Sequence, residues 1–571
     1  MTRTHHARLR RSALAATAAL AVTAGVVAAA PDSGSAQTTP KLSLIAATNS
    51  LTLDSWKEDP GVYLDLGTYL TAEGGPFELK VTRKSYKDPV VAKQIIHDGD
   101  KTSTKTLPAG LVKDFSGLPD FAQISVTDTN RKVVLNKSEK YCPNNAAGRI
   151  DPAGPAKSKY PESCPPNAFT LGSVWGVEKG WASNTYAGFD SAPVKLAAGK
   201  YTAKVTVTKR YRDLFGISSK PQIIKLTVRE RSWEDENGVG MRSKSAASGH
   251  SGHDMSAMAG HGSMRPKAPA APTSGAIPSY NVGHGPLIPA PPALPWALKK
   301  SSLRSAVAPV GDGPGRTDGS RQAPGAQPNA KRPTGKASVP DVPKPDLRSL
   351  PAYGIQISDG DQDVKNKDYL AFSANVWNAG PAQLVVDGFR KPGKELMDAY
   401  QYFYDADGKQ IGYTPTGTME WDPRPGHEHW HFTDFASYRL LKADQQEQVR
   451  SGKEAFCLAN TDAVDYTVKN ANWHPDNTDL STACGQENSI SVREVLDVGS
   501  GDTYTQDLPG QSFDITNLAN GTYYIQVLAN PENRLKETSL TNNSALRKVV
   551  LGGKPGARTV KVPAHELVNS N

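Results

Sequence analysis

Cysteine is scarce in this chain. Its 571 residues include four, Cys142, Cys164, Cys457 and Cys484, in two well-separated pairs with no CxxC spacing. Four cysteines allow three pairings; one local bridge in each half is the simplest, and such bridges suit an oxidising compartment. Helical periodicity is equally scarce, and residues 441–449 are the best short candidate for a helix. No G-x-S-x-G, Walker A or dinucleotide G-x-G-x-x-G falls in a strand–turn–helix context, so an organic cofactor held in the usual nucleotide folds is not indicated. The 50 Gly and 43 Pro are too few and too aperiodic for collagen.

Positive charge is missing where a nucleic-acid-binding domain would need it. The formal net charge is +9, but residues 1–36 carry +3 and residues 231–340 carry +7. The remainder is near neutral, so no folded segment concentrates the charge that phosphate contacts require. Nucleic acid is therefore excluded as a partner.

What is present divides the chain. Arg3, Arg8, Arg10 and Arg11 precede an Ala/Val/Leu-rich run, and Gly34-Ser35-Ala36 then offers small residues at a cleavage site. Residues 1–36 read as a secretory signal peptide, with the Arg10-Arg11 pair leaving twin-Arg export open. Downstream of it no stretch is apolar enough to cross a bilayer. The expected location is secreted, with association to a cell surface as a further option. Residues 37–230 carry short alternating runs such as 77–82, 123–127, 201–207 and 222–228, the pattern of half-buried antiparallel strands. Residues 196–201 resemble the turn before a late sandwich strand. His97 is the only histidine of this region, and nothing there gathers catalytic groups. Residues 231–340 form a linker: positions 241–340 hold 15 Pro and only two aromatics, too little apolar area to offset chain entropy. Residues 341–552 are β-rich again, with Asp405-Ala406-Asp407-Gly408 as a hairpin turn, and residues 553–571 form a loose tail. The expected fold is all-β, two β-sandwich lobes joined by a long disordered linker rich in Pro, Gly, His and Met.

The sharpest chemical signal is His427-Glu428-His429-Trp430-His431. On a strand, alternation sends all three imidazoles to one face, with neighbours about 7 Å apart at a rise of ~3.3 Å per residue. A twisted or bulged strand brings them around one ion. Imidazole suits both copper and zinc, and ligand type alone does not choose between them. The linker holds a second set, His250, His253, Met255, Met258, His261 and Met264, whose thioether and imidazole donors suit copper, Cu(I) especially. A chance cluster in a low-complexity tract is the alternative. His474 reads as a loop histidine.

Beyond the histidines, the C-terminal domain resembles the copper-dependent lysyl oxidases over roughly residues 365–550. The landmarks run in order: Tyr369-Leu370-Ala371-Phe372, Val376-Trp377-Asn378-Ala379-Gly380, Glu420-Trp421, the histidine run, Tyr438-Arg439-Leu440-Leu441, Lys453 with Phe456-Cys457-Leu458, Asp502-Thr503-Tyr504, Asp514-Ile515-Thr516, and Gly521-Thr522-Tyr523-Tyr524-Ile525. The resemblance implies copper on His427, His429 and His431, and a lysyl tyrosylquinone made from Lys453 and Tyr504. It implies oxidation of primary amines by O2 to aldehydes, with release of H2O2 and NH3; protein lysines are among the candidate substrates. A cell-surface polymer is a candidate partner for the N-terminal lobe. Ser437 stands where animal members carry a histidine discussed as a base, which leaves Asp434 as the nearest carboxylate for that role. The animal enzymes also carry a denser disulfide set. Here a Cys457–Cys484 bridge remains, worth about 3 kcal/mol in the chain-entropy model. The competing reading is a non-enzymatic copper- or zinc-binding surface protein.

Overall fold

The computed structural model describes residues 40–232 and 332–569, apart from 58–59, 99–100, 187, 189–190, 359–363, 365, 391–395, 424–428, 452–454, 476–483 and 506–509. The signal segment 1–36 and the His/Met-bearing stretch of the linker lie outside the described residues.

Both lobes are β structures. In the N-terminal lobe, Lys41–Ala46, Thr68–Glu73, Trp181–Asn184 and Ala147–Arg149 form one sheet, and Gly172–Val177, Phe77–Thr82, Val91–Asp98 and Lys101–Thr106 a second. The third sheet runs Ser50–Trp56, Gln222–Arg231, Gly199–Val207, Leu118–Thr127, Val133–Tyr141, and its first pair is parallel. One core joins all three through residues such as Leu70, Leu79 and Val205. The single helix among the described residues is Lys209–Phe215, which buries Tyr211 and Phe215 against that core. Among the described residues no helix is long and apolar enough to cross a membrane.

The C-terminal lobe repeats the plan. Tyr369–Asn378, buried at all ten positions, is the spine of one sheet, pairing with Leu347–Ser349, Tyr353–Ser358, Ser500–Tyr504 and Ser512–Asp514. A second sheet runs His429–Phe432, Gln410–Asp422, Leu396–Tyr404, Leu384–Arg390, Ser491–Leu496. The third runs Glu447–Arg450, Ala436–Lys442, Gly521–Ala529, Ser544–Lys554, Ala557–Lys561. Phe372, Met419 and Ile525 bring all three into one core. The bridges are Cys142–Cys164 and Cys457–Cys484, local in both cases.

Three details depart from the sequence reading. Residues 441–449 form a hairpin and not a helix: Leu440 pairs with Val449, Lys442 N–H donates to Gln446 O, and Gln445 takes a positive φ of 63° in the turn. The packing of partly buried Val449 against buried Leu440 outweighs the weak propensity of this polar stretch. The linker ends earlier than 340, because Ser338 bridges to Tyr413 and Arg332 pairs with Asp398. The tail beyond 553 is built in: Ala557–Lys561 pairs with Ser544–Lys554, and Val568 is buried against the N-terminal lobe.

The two lobes share a corner. Leu196-Ala197-Ala198-Gly199-Lys200-Tyr201 and Leu518-Ala519-Asn520-Gly521-Thr522-Tyr523 have the same spacing. In each, the tyrosine hydroxyl donates to the alanine carbonyl four residues back, at 2.9 Å. This is the device that closes a sandwich at the start of a late strand. Tyr523→Phe deletes only that bond in a mostly buried setting. It is expected to cost about 1 kcal/mol and to lower the thermal midpoint by a few degrees, measured by calorimetry, with Tyr201→Phe milder because its corner is open to solvent.

Candidate functional site

His429–Phe432 is a short strand with every residue buried. On one side it pairs with Gln410–Asp422, setting Asp422 opposite His429 and Glu420 opposite His431. On the other side two segments flank it: Trp430 N–H donates to Cys484 O at 2.9 Å, and Phe432 and Phe456 exchange both backbone bonds. Alternation turns Trp430 to the far face, where its indole N–H donates to Gln486 O at 2.8 Å and the Arg390 guanidinium lies 5.0 Å over the ring. His429 and His431 share the other face.

Their Nε2 atoms lie 2.7 Å apart, and each residue is 1% exposed. Two imidazole nitrogens brought this close in a dry site converge on one point, which is what a shared ion demands of its ligands. Behind them, Asp422 Oδ2 sits 3.5 Å from His431 Nδ1. A proton kept on Nδ1 toward that carboxylate leaves the Nε2 lone pair for a metal. The donor set therefore fits copper or zinc. His427 lies outside the described residues, and among those described no set of three or more His, Cys, Asp or Glu forms a cage.

Phe456 connects this strand to Tyr504. Its backbone pairs with Phe432, and its ring meets the Tyr504 ring edge-on with centroids 5.3 Å apart. Tyr504 ends the strand Ser500–Tyr504 and is 2% exposed. Lys453, three residues before Phe456, lies outside the described residues.

Asp434 has another occupation. It stands in a turn at φ 60°, partly exposed, and its Oδ2 accepts from Arg534 Nη1 at 2.6 Å. Asp502 and Glu494 are among the carboxylates buried in the interior, neither singled out by the sequence reading as a base. Asp502 shares its strand face with Tyr504, two residues away. Burial, then the nearby Asp502, push the Tyr438 hydroxyl well above its ordinary range. Glu494 is fully buried; its Oε2 accepts the Leu458 N–H at 3.0 Å, and its Oε1 has no hydrogen-bond partner among the described residues. Burial raises its pKa well above 4.5. A signal for Glu494 existed: alternation in Ser491–Leu496 sets it inward with Val492 and Leu496.

Comparison with known proteins decides the family. The lysyl oxidase family model matches residues 406–559, a span that takes in the paired histidines and Tyr504. The C-terminal lobe belongs to the lysyl oxidase family. Similar relatives include human protein-lysine 6-oxidase, 34% identical over 125 residues, covering 22% of this chain and 26% of that protein. The pig protein-lysine 6-oxidase is 33% identical over 125 residues, covering 22% of this chain and 44% of the relative. Zebrafish lysyl oxidase homolog 3B is 30% identical over 132 residues, covering 22% and 14%. The chain thus spans less than half the length of each of these relatives. Within this lysyl oxidase lobe, strands from three sheets converge on Phe456.

Glu494 gives a pH test. Its folded-state pKa lies above the unfolded value, so the folded state holds the proton more tightly. Stability then falls as pH rises from about 4.5 toward the folded value. Glu494→Gln removes this loss. Its thermal midpoint is expected to exceed that of the wild type at pH 8 and to match it near pH 4; a gap independent of pH contradicts the assignment.

Proposed function

We propose that the lysyl oxidase lobe is a secreted, copper- and quinone-dependent amine oxidase that converts primary amines to aldehydes. The observation that carries this reading is the convergence of the His429 and His431 Nε2 atoms on a strand whose neighbour, Phe456, also covers Tyr504. Protein lysine is the substrate class suggested by the names of the human and pig relatives. The net reaction is RCH2NH2 + O2 + H2O → RCHO + NH3 + H2O2.

In this reading His429 and His431 hold the ion through Nε2 with His427 as the third ligand, and Asp422 fixes the His431 tautomer. The copper and the lysyl tyrosylquinone, when in place, supply the electrophilic carbonyl and the electron sink for the amine. Tyr504 contributes the phenol and Lys453 the side-chain nitrogen from which that quinone is built. The ring of Phe456, itself backed by Tyr438, covers Tyr504 and keeps water from it. A carboxylate must take the proton released from the carbon bearing the amine. Asp502, about 7 Å along the same strand face as Tyr504, is placed for this through its Oδ atoms, whereas Asp434 is engaged by Arg534.

The direct test is peptide mass spectrometry of copper-loaded protein, where a Lys453–Tyr504 crosslink is expected. Lys453→Arg and Tyr504→Phe should each abolish amine-dependent peroxide release; wild-type turnover in either variant overturns the cofactor assignment. Copper bound with neither quinone absorbance nor peroxide identifies a non-enzymatic metal-binding protein instead.

The base assignment is separable. Asp502→Asn should lower kcat by about 100-fold or more, the usual worth of a general base, while copper content stays at the wild-type level. Asp434→Asn should leave kcat within a few-fold.

A further inference from the structure

The strand carrying Tyr504 is not held by its own lobe alone. It pairs on one side with Tyr369–Asn378, setting Ala374 opposite Tyr504, and on the other with Asp462–Ala463. The chain then meets the N-terminal lobe directly. Leu171 N–H donates to Val464 O at 2.8 Å, Tyr466 N–H to Gly172 O at 3.0 Å, and Thr170 Oγ1 to Ala463 O at 3.2 Å. Through these bonds the sheet of Tyr504 runs into the sheet that begins at Gly172. The approach needs glycine there, because a Cβ would run into Asp465 Oδ1.

A second connection passes through side chains on the opposite face of the strand. The Thr503 hydroxyl donates to Asp462 Oδ2. With its one proton spent, Thr503 Oγ1 accepts from Asn375 Nδ2 at 2.8 Å and from the Tyr353 hydroxyl at 3.0 Å. The Tyr353 oxygen in turn accepts from Asn167 Nδ2 at 3.2 Å. Asn167, in the N-terminal lobe, thus starts a donor chain that ends on a fully enclosed carboxylate. Aligned bonds of this kind strengthen one another in a low-dielectric interior. The Thr503 N–H is also committed, donating to Thr461 Oγ1 at 2.7 Å. With both its hydroxyl and its N–H committed, the residue that precedes Tyr504 has a defined orientation. Apolar contact backs the junction: Phe169 packs with Leu350, Trp377 and Val464, and the Tyr160 and Trp473 rings stack at 6.4 Å.

We propose that the N-terminal lobe is part of the reactive centre: Asn167 and Tyr353 are positioning residues that aim Tyr504 for crosslinking. The link to crosslinking rests on the reading of Tyr504 as quinone precursor; the claim that the lobe fixes the strand does not. A crosslink forms only if the ring is presented at bonding distance, and a strand end free to fray presents it rarely. The N-terminal lobe then does more than address the enzyme to a surface.

The test uses the full-length chain. Tyr353→Phe removes one hydroxyl, and Asn167→Leu replaces the amide by an isostere without donors. In the copper-free protein, amide hydrogen exchange of residues 500–504 should accelerate about tenfold in each variant, the size expected for one buried hydrogen bond. Exchange in Gly521–Ala529 and Phe77–Thr82 should stay at wild-type rates, which a general loss of stability would not allow. After copper loading, crosslink yield and quinone absorbance should fall several-fold at unchanged copper content. Unchanged exchange at 500–504 in both variants overturns the proposal, as does faster exchange with full crosslink yield. A wild-type chain that forms no crosslink defeats the quinone reading, while the exchange result still decides whether the lobe fixes the strand.

Discussion

Phe456 is hydrogen-bonded through both of its backbone groups to Phe432, and its ring lies on Tyr504. The rest of the centre depends on this one residue's two commitments. The backbone pair keeps the segment after Lys453 in register with the strand of His429 and His431. The ring contact sets the depth at which the third sheet's Tyr438 and the first sheet's Tyr504 meet it. Remove the pair and the imidazoles and the phenol belong to separate sheets with no shared reference. The chemistry asked of these groups is short-ranged, so their relative placement matters more than the strength of any single contact.

Polarity inside the lobe follows a consistent pattern. Asp462, Asp502 and Glu494 are buried beside a core of aromatic and aliphatic side chains. Buried carboxylates oppose folding unless hydrogen-bonded or neutralised. Asp462 receives Thr503, Thr461 and Asn375; Glu494 receives one backbone N–H. Burial raises the pKa of Asp462 and of Glu494, so both are kept at a cost to stability.

Several of these features could be read before any coordinates. The spacing of His429 and His431 is a two-residue period, and a strand enforces its consequence locally. The corner formed by Tyr201 depends on residues within five positions of one another, as does the turn at Gly408. Residues 441–449 misled because nine residues do not carry enough pattern to distinguish a weak helix from a hairpin whose apolar partners face each other. The bond between Asn167 and Tyr353 joins residues 186 positions apart. No local pattern announces it, and Asn167 alone reads as an ordinary turn residue after two prolines. Asp502 was visible as part of a motif, but its enclosure beside Tyr438 and Tyr504 is a property of the folded chain and not of local pattern.

The Cys457–Cys484 bridge has a consequence of its own. Cys457 follows Phe456, and the carbonyl of Cys484 receives the N–H of Trp430, between the two histidines. One covalent bond therefore clamps together the two segments that line the open edge of the imidazole strand. Under thiol-rich conditions the clamp would be cut, and the imidazole strand would lose its brace although neither histidine had been touched. The centre is thus conditional on its surroundings: electron-poor media keep it assembled, and two electrons delivered to sulfur would loosen it.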